Sequence, residues 1–230
     1  MLHMPREQFF CEHPKPRPRI LESLERAADK MAARGDRRRG LFSFIGDVYC
    51  HLLPEDDVTR EALQIMVDRG LNFEVCTKGG LRAERDFDLL QQGGRLGLSM
   101  VWRDGDSQRE LEPRAADLNQ RRCLVGIAKE HGLYVWMSIE PVIVSDEALW
   151  AIRNANDEGA DEFRLGKINP RTIHQLPIEW QARVRAIDWP AFVAEAHDLL
   201  VATGKRFIFK ESLHEYLDGR PATGGPEVTR

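Results

Sequence analysis

The sequence has little that would tie it to a membrane, a nucleic acid or an oxidising compartment. No stretch approaches the roughly 20 consecutive apolar residues that a spanning helix needs. The N-terminus, MLHMPREQFF, lacks the apolar core of a secretory signal. A cytoplasmic protein with no membrane partner is expected. Positive charge is not in excess: 33 Lys and Arg stand against 37 Asp and Glu, a net charge of −4. The chain therefore has no overall field drawing it to nucleic acid, although Arg37-Arg38-Arg39 could touch phosphate as well as form a solvated turn. Cysteine is scarce. Cys11, Cys50, Cys76 and Cys123 are too scattered for a disulfide framework or a CxxC metal knuckle, and each reads first as a small packed side chain.

Common catalytic signatures are missing too. No GxGxxG follows a strand, and neither GxxxxGK[ST] nor GxSxG occurs, which weakens dinucleotide, P-loop and hydrolase readings. His51, His131, His174 and His197 show no HxxxH or HxH spacing, so no metal ligands are assigned. There is no internal repeat.

What is present is an alternation. Prolines at 14, 16 and 18 make residues 1–20 an extended lead-in. A helix follows, with Leu21, Leu24, Ala28 and Met31 on one face and a stop at Arg34-Gly35. Six short apolar runs then read as buried strands: 41–45, 72–77, 96–101, 134–139, 162–166 and 206–210. Helical patterns over 59–69, 113–131 and 190–203 lie between them. Strands separated by helices imply right-handed βαβ units around a parallel sheet, an α/β barrel or an open doubly wound sheet. One domain is expected over 21–217, with 218–230 as a flexible tail.

In parallel α/β folds chemistry collects where strands end. Here those positions hold Gly46-Asp47, Lys78-Gly79-Gly80, Ser99, Ser138 with Glu140-Pro141, Lys167 with Asn169, and Lys210. Each glycine could be only a turn residue and each lysine only a solvated charge. Three lysines at corresponding strand ends, however, would converge on one mouth. Glu140 and Lys167 could serve there as an acid and a base.

The segments FSFIGDVY, TREALQIMVDRGLNFEVCTKGG with RDFDLL, LGLSMVW, EPRAADLNQRR, WMSIEPVI and FRLGKIN carry a further pattern. In order and spacing they resemble the strand-end motifs of the radical S-adenosylmethionine (SAM) superfamily, nearest its spore photoproduct lyase-like and DNA-repair-photolyase-like branch. The resemblance runs from about Pro14 to Leu213. It implies an incomplete (β/α)6 barrel, a partial TIM barrel. It also implies SAM and a [4Fe–4S] cluster as cofactors, and reductive cleavage of SAM to a 5′-deoxyadenosyl radical.

By that resemblance Gly46-Asp47 meets the SAM amino group, with Asp where Glu is commoner. Lys78 meets the SAM carboxylate, and Ser99 lies near the ribose. Ser138 and Glu140 form the rim facing ribose or substrate, with Lys167 and Asn169 contributed by a later strand. Ser138, Glu140 and Lys167 are thus the candidate catalytic residues. Gly46, Asp47, Lys78, Ser99 and Asn169 are the candidate cofactor-binding ones. A nucleic-acid partner is implied by the resemblance alone.

The family's CxxxCxxC cluster loop is not in this sequence. A missing N-terminal piece and an inactive chain are the expectation, with an unpaired apolar edge beside the strand at 41–45. A degenerate, non-catalytic barrel that keeps a ligand or partner site is the alternative.

Overall fold

The computed structural model describes residues 16–42, 46–50 and 58–226. Helix α1 (Ile20–Ala33) packs Leu21, Leu24, Ala28 and Met31 on the core, and Gly35 follows at φ 61°. Then come β1 (Gly40–Phe42), α2 (Val58–Asp68) and β2 (Phe73–Thr77). A 3-10 segment (Gly80–Asp86) runs into α3 (Phe87–Leu90), and β3 (Leu96–Ser99) follows. Helices α4 (Gly105–Leu111) and α5 (Leu118–Glu130) precede β4 (Val135–Val142), and α6 (Ser145–Asp157) precedes β5 (Glu162–Lys167). Helices α7 (Ile178–Arg185) and α8 (Trp189–Thr203) lead to β6 (Arg206–Phe209), and a 3-10 turn (Glu211–Tyr216) to β7 (Thr223–Gly224).

Several helix starts are written into the sequence. The carboxylates of Asp104, Asp117 and Asp188 accept backbone N–H bonds at the starts of α4, α5 and α8, and Pro190 occupies the first turn of α8. No helix among the described residues is long and apolar enough to cross a membrane.

Strand order in the sheet follows the chain from β1 to β7. The strands β1 to β6 are parallel, and β7 pairs antiparallel with β6. The fold is α/β with a parallel sheet, as the alternation implies; of the two architectures left open by it, the incomplete barrel implied by the resemblance is the one found. Three details differ from the sequence reading. Strand β4 continues through Glu140-Pro141 to Val142, with a register shift against β5 after Ile139. Helices α4, α6 and α7 fill connections where no helix was assigned. Thr223–Gly224, within the span read as tail, pairs with β6. The run 41–45 is described only through Phe42; β1 is the edge strand, with Leu41 44% exposed. Residues 1–15, which would have to close that edge, lie outside the described residues.

The two faces of the sheet divide by alternation. Phe73, Val75, Leu96, Leu98, Val135, Met137, Ile139, Phe163, Leu165, Phe207 and Phe209 share one face, none more than 2% exposed. That face carries the helices; Phe207 and Phe209, for example, pack on His197 of α8. Burying each such side chain is worth about 1.5–3 kcal/mol.

The intervening positions form an inner face of different character: Glu74, Cys76, Gly97, Ser99, Trp136, Ser138, Glu162 and Arg164. Arg164 grips Glu74 with two hydrogen bonds of 2.8 and 2.9 Å, donates to Glu162 at 2.6 Å, and lies 3.8 Å from the centre of the Trp136 ring. In a flat sheet β2 and β5 would be three spacings, about 14 Å, apart. The direct contact shows how far the sheet curls.

Gly97 makes room for that arrangement. A Cβ there would lie 2.3 Å from the Trp136 ring and 2.6 Å from the carbonyl oxygen of Val75. Gly97→Ala is therefore expected to destabilise the fold by roughly 1–3 kcal/mol, measured as a lower urea midpoint. Adding Trp136→Phe should recover part of the loss. Strictly additive losses in the double variant would show that ring and strand do not press on one another.

Candidate functional site

Because β1 to β6 are parallel, their carboxyl ends open at one mouth. Its first corner is built on Asp47. One carboxylate oxygen accepts from the backbone N–H of Tyr49 (2.9 Å) and the hydroxyl of Thr77 (2.7 Å), the other from the backbone N–H of Lys78 (2.6 Å). Asp47 thus ties the loop after β1 to the end of β2. A carboxylate has about four acceptor positions, and among the described residues three of them are taken. Gly46, just before it, is exposed.

Tyr49 is buried, and its hydroxyl donates to Asp86 at 3.0 Å. Burial first, and then the Asp86 charge, push the Tyr49 hydroxyl well above its ordinary value, so it stays a donor. Gly79 lets the two loops touch, since a Cβ there would come within 2.4 Å of the Tyr49 carbonyl oxygen.

Lys78 is not free. Its ammonium donates to Glu112 at 2.6 Å, and the second oxygen of Glu112 lies 2.8 Å from Arg121. Arg121, fully buried on α5, donates to the carbonyl oxygens of Ser99 (3.0 Å) and Ala116 (2.8 Å). Burial pushes the Glu112 carboxyl up, but Lys78 and Arg121 outweigh it and hold the carboxyl below its ordinary value. The sequence reading assigned no role to Glu112 or Arg121. A run of charge before and within a helix normally reads as solvated, and only the fold shows Arg121 turned inward.

Ser99 and Ser138 are register partners on β3 and β4, both nearly buried. Glu140, two residues further along the same face of β4, forms an ion pair with Lys210, which follows β6. Cys76 lies in the middle of this face, among Asp47, Lys78, Arg164 and Lys210. Burial, helped by Asp47, pushes its thiol up to about 12, against the pull of those three cations.

Two candidates sit apart. Lys167 has the parity of Phe163 and Leu165, on the helical side of β5. Its ammonium reaches the Tyr216 hydroxyl at 2.8 Å and lies 4.9 Å from the Trp189 ring centre. Glu140 is therefore paired with Lys210 rather than Lys167. Asn169 is exposed, and its side chain accepts from the backbone N–H of Arg171, closing a turn. Counting alternate residues along EFRLGK is the signal that would have placed Lys167 on the apolar side.

Cys50 follows β1, Cys76 lies in β2 and Cys123 on α5. They do not converge, and no group of three His, Cys, Asp or Glu among the described residues could hold a metal ion. The described residues do not fit a [4Fe–4S] cluster. Elsewhere at the mouth stand the Asp47 carboxylate, the Lys78 ammonium paired with Glu112, and two hydroxyls in register.

No protein-family model matches the chain, and none of the curated proteins does. Among solved structures the chain is similar to Streptococcus suis SuiB bound to precursor peptide SuiA, with 12% identity and a TM-score of 0.64, over 92% of this chain and 47% of that one. SuiB bound to S-adenosylmethionine matches at 12% identity and a TM-score of 0.61, over 88% and 46% of the two chains. The chain spans about half the length of the structures it matches. At this identity the likeness is one of fold, a mostly parallel partial barrel.

Two outcomes follow from the charges at the mouth. Glu112, depressed below 4.5 when folded, adds stability that is full above that value and lost as pH falls through the folded value. Glu112→Gln should flatten the acid limb of urea midpoint against pH, and an unchanged limb would count against the buried pair. Cys123 is exposed, whereas the raised thiol of Cys76 holds little thiolate near neutrality. Iodoacetamide followed by peptide mass spectrometry should show Cys123 modified well before Cys76.

Proposed function

We propose that this chain binds SAM on a barrel of radical SAM type, at the carboxyl ends of β1 to β4. The observation that carries this reading is the gathering of Asp47, Lys78, Ser99 and Ser138 at one end of one parallel sheet. SAM presents an ammonium, a carboxylate and a ribose diol. Among the described residues Asp47 keeps an acceptor position for the ammonium, and a charge-assisted hydrogen bond there is stronger than a neutral one. Lys78 answers the carboxylate. Ser99 and Ser138 offer adjacent hydroxyls to the ribose. The fold shared with the SAM-bound SuiB supports the ligand class. The order of the sequence motifs supports the superfamily and its photoproduct lyase-like branch.

When bound, SAM supplies an activated sulfonium, and its reductive opening requires an electron donor. The described cysteines do not converge to hold one. In this reading the 230 residues bind SAM and do not cleave it by themselves. The alternative, a ligand-binding module without chemistry, draws on a different observation: Glu140 is paired with Lys210, and Lys78 with Glu112.

Equilibrium dialysis with labelled SAM tests the reading. The chain should bind SAM, and Lys78→Met should weaken binding by about tenfold or more, the worth of one charged hydrogen bond. Absence of SAM binding would overturn it. After anaerobic treatment with iron, sulfide and dithionite, no 5′-deoxyadenosine should form. Its release would show that the cysteines assemble a working cluster after all.

A further inference from the structure

Glu112 has two cations and only one aligned hydrogen bond. One oxygen takes the Lys78 ammonium at 2.6 Å. The other lies 2.8 Å from Arg121 but is a buried acceptor with no hydrogen-bond partner among the described residues, and Nη2 of Arg121 is likewise a buried donor with none. Two orphaned atoms of opposite kind, on side chains already in contact, are costly when buried and lack an aligned partner. A small rotation of the Glu112 carboxylate would satisfy both in a bidentate pair with Arg121. The Lys78 bond is what holds the carboxylate in its present pose.

We infer that Glu112 is an internal stand-in for a ligand carboxylate: it holds Lys78 when no ligand is bound and swings onto Arg121 when a carboxylate-bearing ligand takes the lysine. This deepens the SAM-binding reading and rests on it. The exchange is balanced in charge. Lys78 trades one carboxylate for another, and Glu112 is never left alone, because Arg121 stays beside it in the protein interior. Breaking a buried pair is expensive when it strands a charge; here nothing is stranded. The device also selects. A ligand with no carboxylate cannot release Lys78 on equal terms, so the site discriminates through Glu112 although Glu112 itself does not touch the ligand. Glu112 is a positioning residue for Lys78, and Arg121 is its second seat.

Arg121 also donates to the backbone of Ser99. The swing therefore reaches the strand whose hydroxyl faces the ribose position, which links the carboxylate and ribose ends of the site.

The test uses SAM and decarboxylated SAM, which differ by the carboxylate alone, with the full 230-residue chain. Side-chain nitrogen NMR of the unsubstituted protein should show the Arg121 guanidinium signals move on adding SAM. The same displacement should appear without ligand in Lys78→Met, and decarboxylated SAM should not produce it. Glu112→Gln should tighten SAM binding by about tenfold while leaving decarboxylated SAM unchanged. The NMR readout separates this role from a simple field effect, which would also strengthen SAM binding in the variant but would not move Arg121 in the unsubstituted protein. SAM binding with unmoved Arg121 signals, or a Glu112→Gln effect equal for both ligands, would overturn the stand-in and leave the binding site standing. Failure of both ligands to bind would overturn the site and the stand-in together.

Discussion

The grip of Arg164 on Glu74 spans the inner face of the sheet from β5 to β2, over the two strands between. That chord can exist only in a curled sheet, and curling is what turns a row of strand ends into a mouth. Beneath the guanidinium lies the Trp136 ring, and beside the ring is the bare Gly97 that admits it. Glu162 adds a second carboxylate to the same arginine, joined by the Tyr134 hydroxyl at 2.9 Å and by Arg206 at 3.3 Å. Burial alone would lower the Arg164 guanidinium; the two carboxylates reverse this and hold it firmly charged. Such a network adds little stability over a well-packed apolar core. Its consequence is shape.

The mouth above it is a second charged layer with another logic. Its members are held by neighbours at the same level: Asp47 by the end of β2, Lys78 by Glu112, Glu140 by Lys210. In the lower layer carboxylates and cations crowd round one another from three strands. In the upper one most groups have a single charged partner and retain some access to solvent. A ligand can compete for the second kind of pairing and not for the first.

Much of this was legible in the residues. The six strands were marked because a strand buried against helices must be apolar at alternate positions, and runs such as NFEVCT and YVWMSI leave no other use for so many β-branched and aromatic side chains. The placement of Asp47, Lys78, Ser99, Ser138 and Glu140 followed from the parallel order alone. Two things were hidden. Helices α4 and α7 are short and carry too little of an apolar stripe to stand out from loops, whereas α6 does carry one, in Ala148, Leu149, Ile152 and Ala155, whose spacing went unassigned. The Glu112 and Arg121 pair was invisible for a deeper reason: nothing local in EPRAADLNQRR says which of its arginines turns inward, since burial of Arg121 is decided by the position of α5 against β3. Lys167 was misplaced for the opposite reason, because strand-end position was weighed and strand parity was not.

A chord through a barrel also decides traffic. With Arg164, Glu74, Glu162 and Trp136 packed across the lumen near the strands' amino ends, the barrel is a cup with a floor, not a tube with two openings. Ser99 and Ser138 therefore face the rim that carries Lys78 and Glu140, away from the packed amino ends.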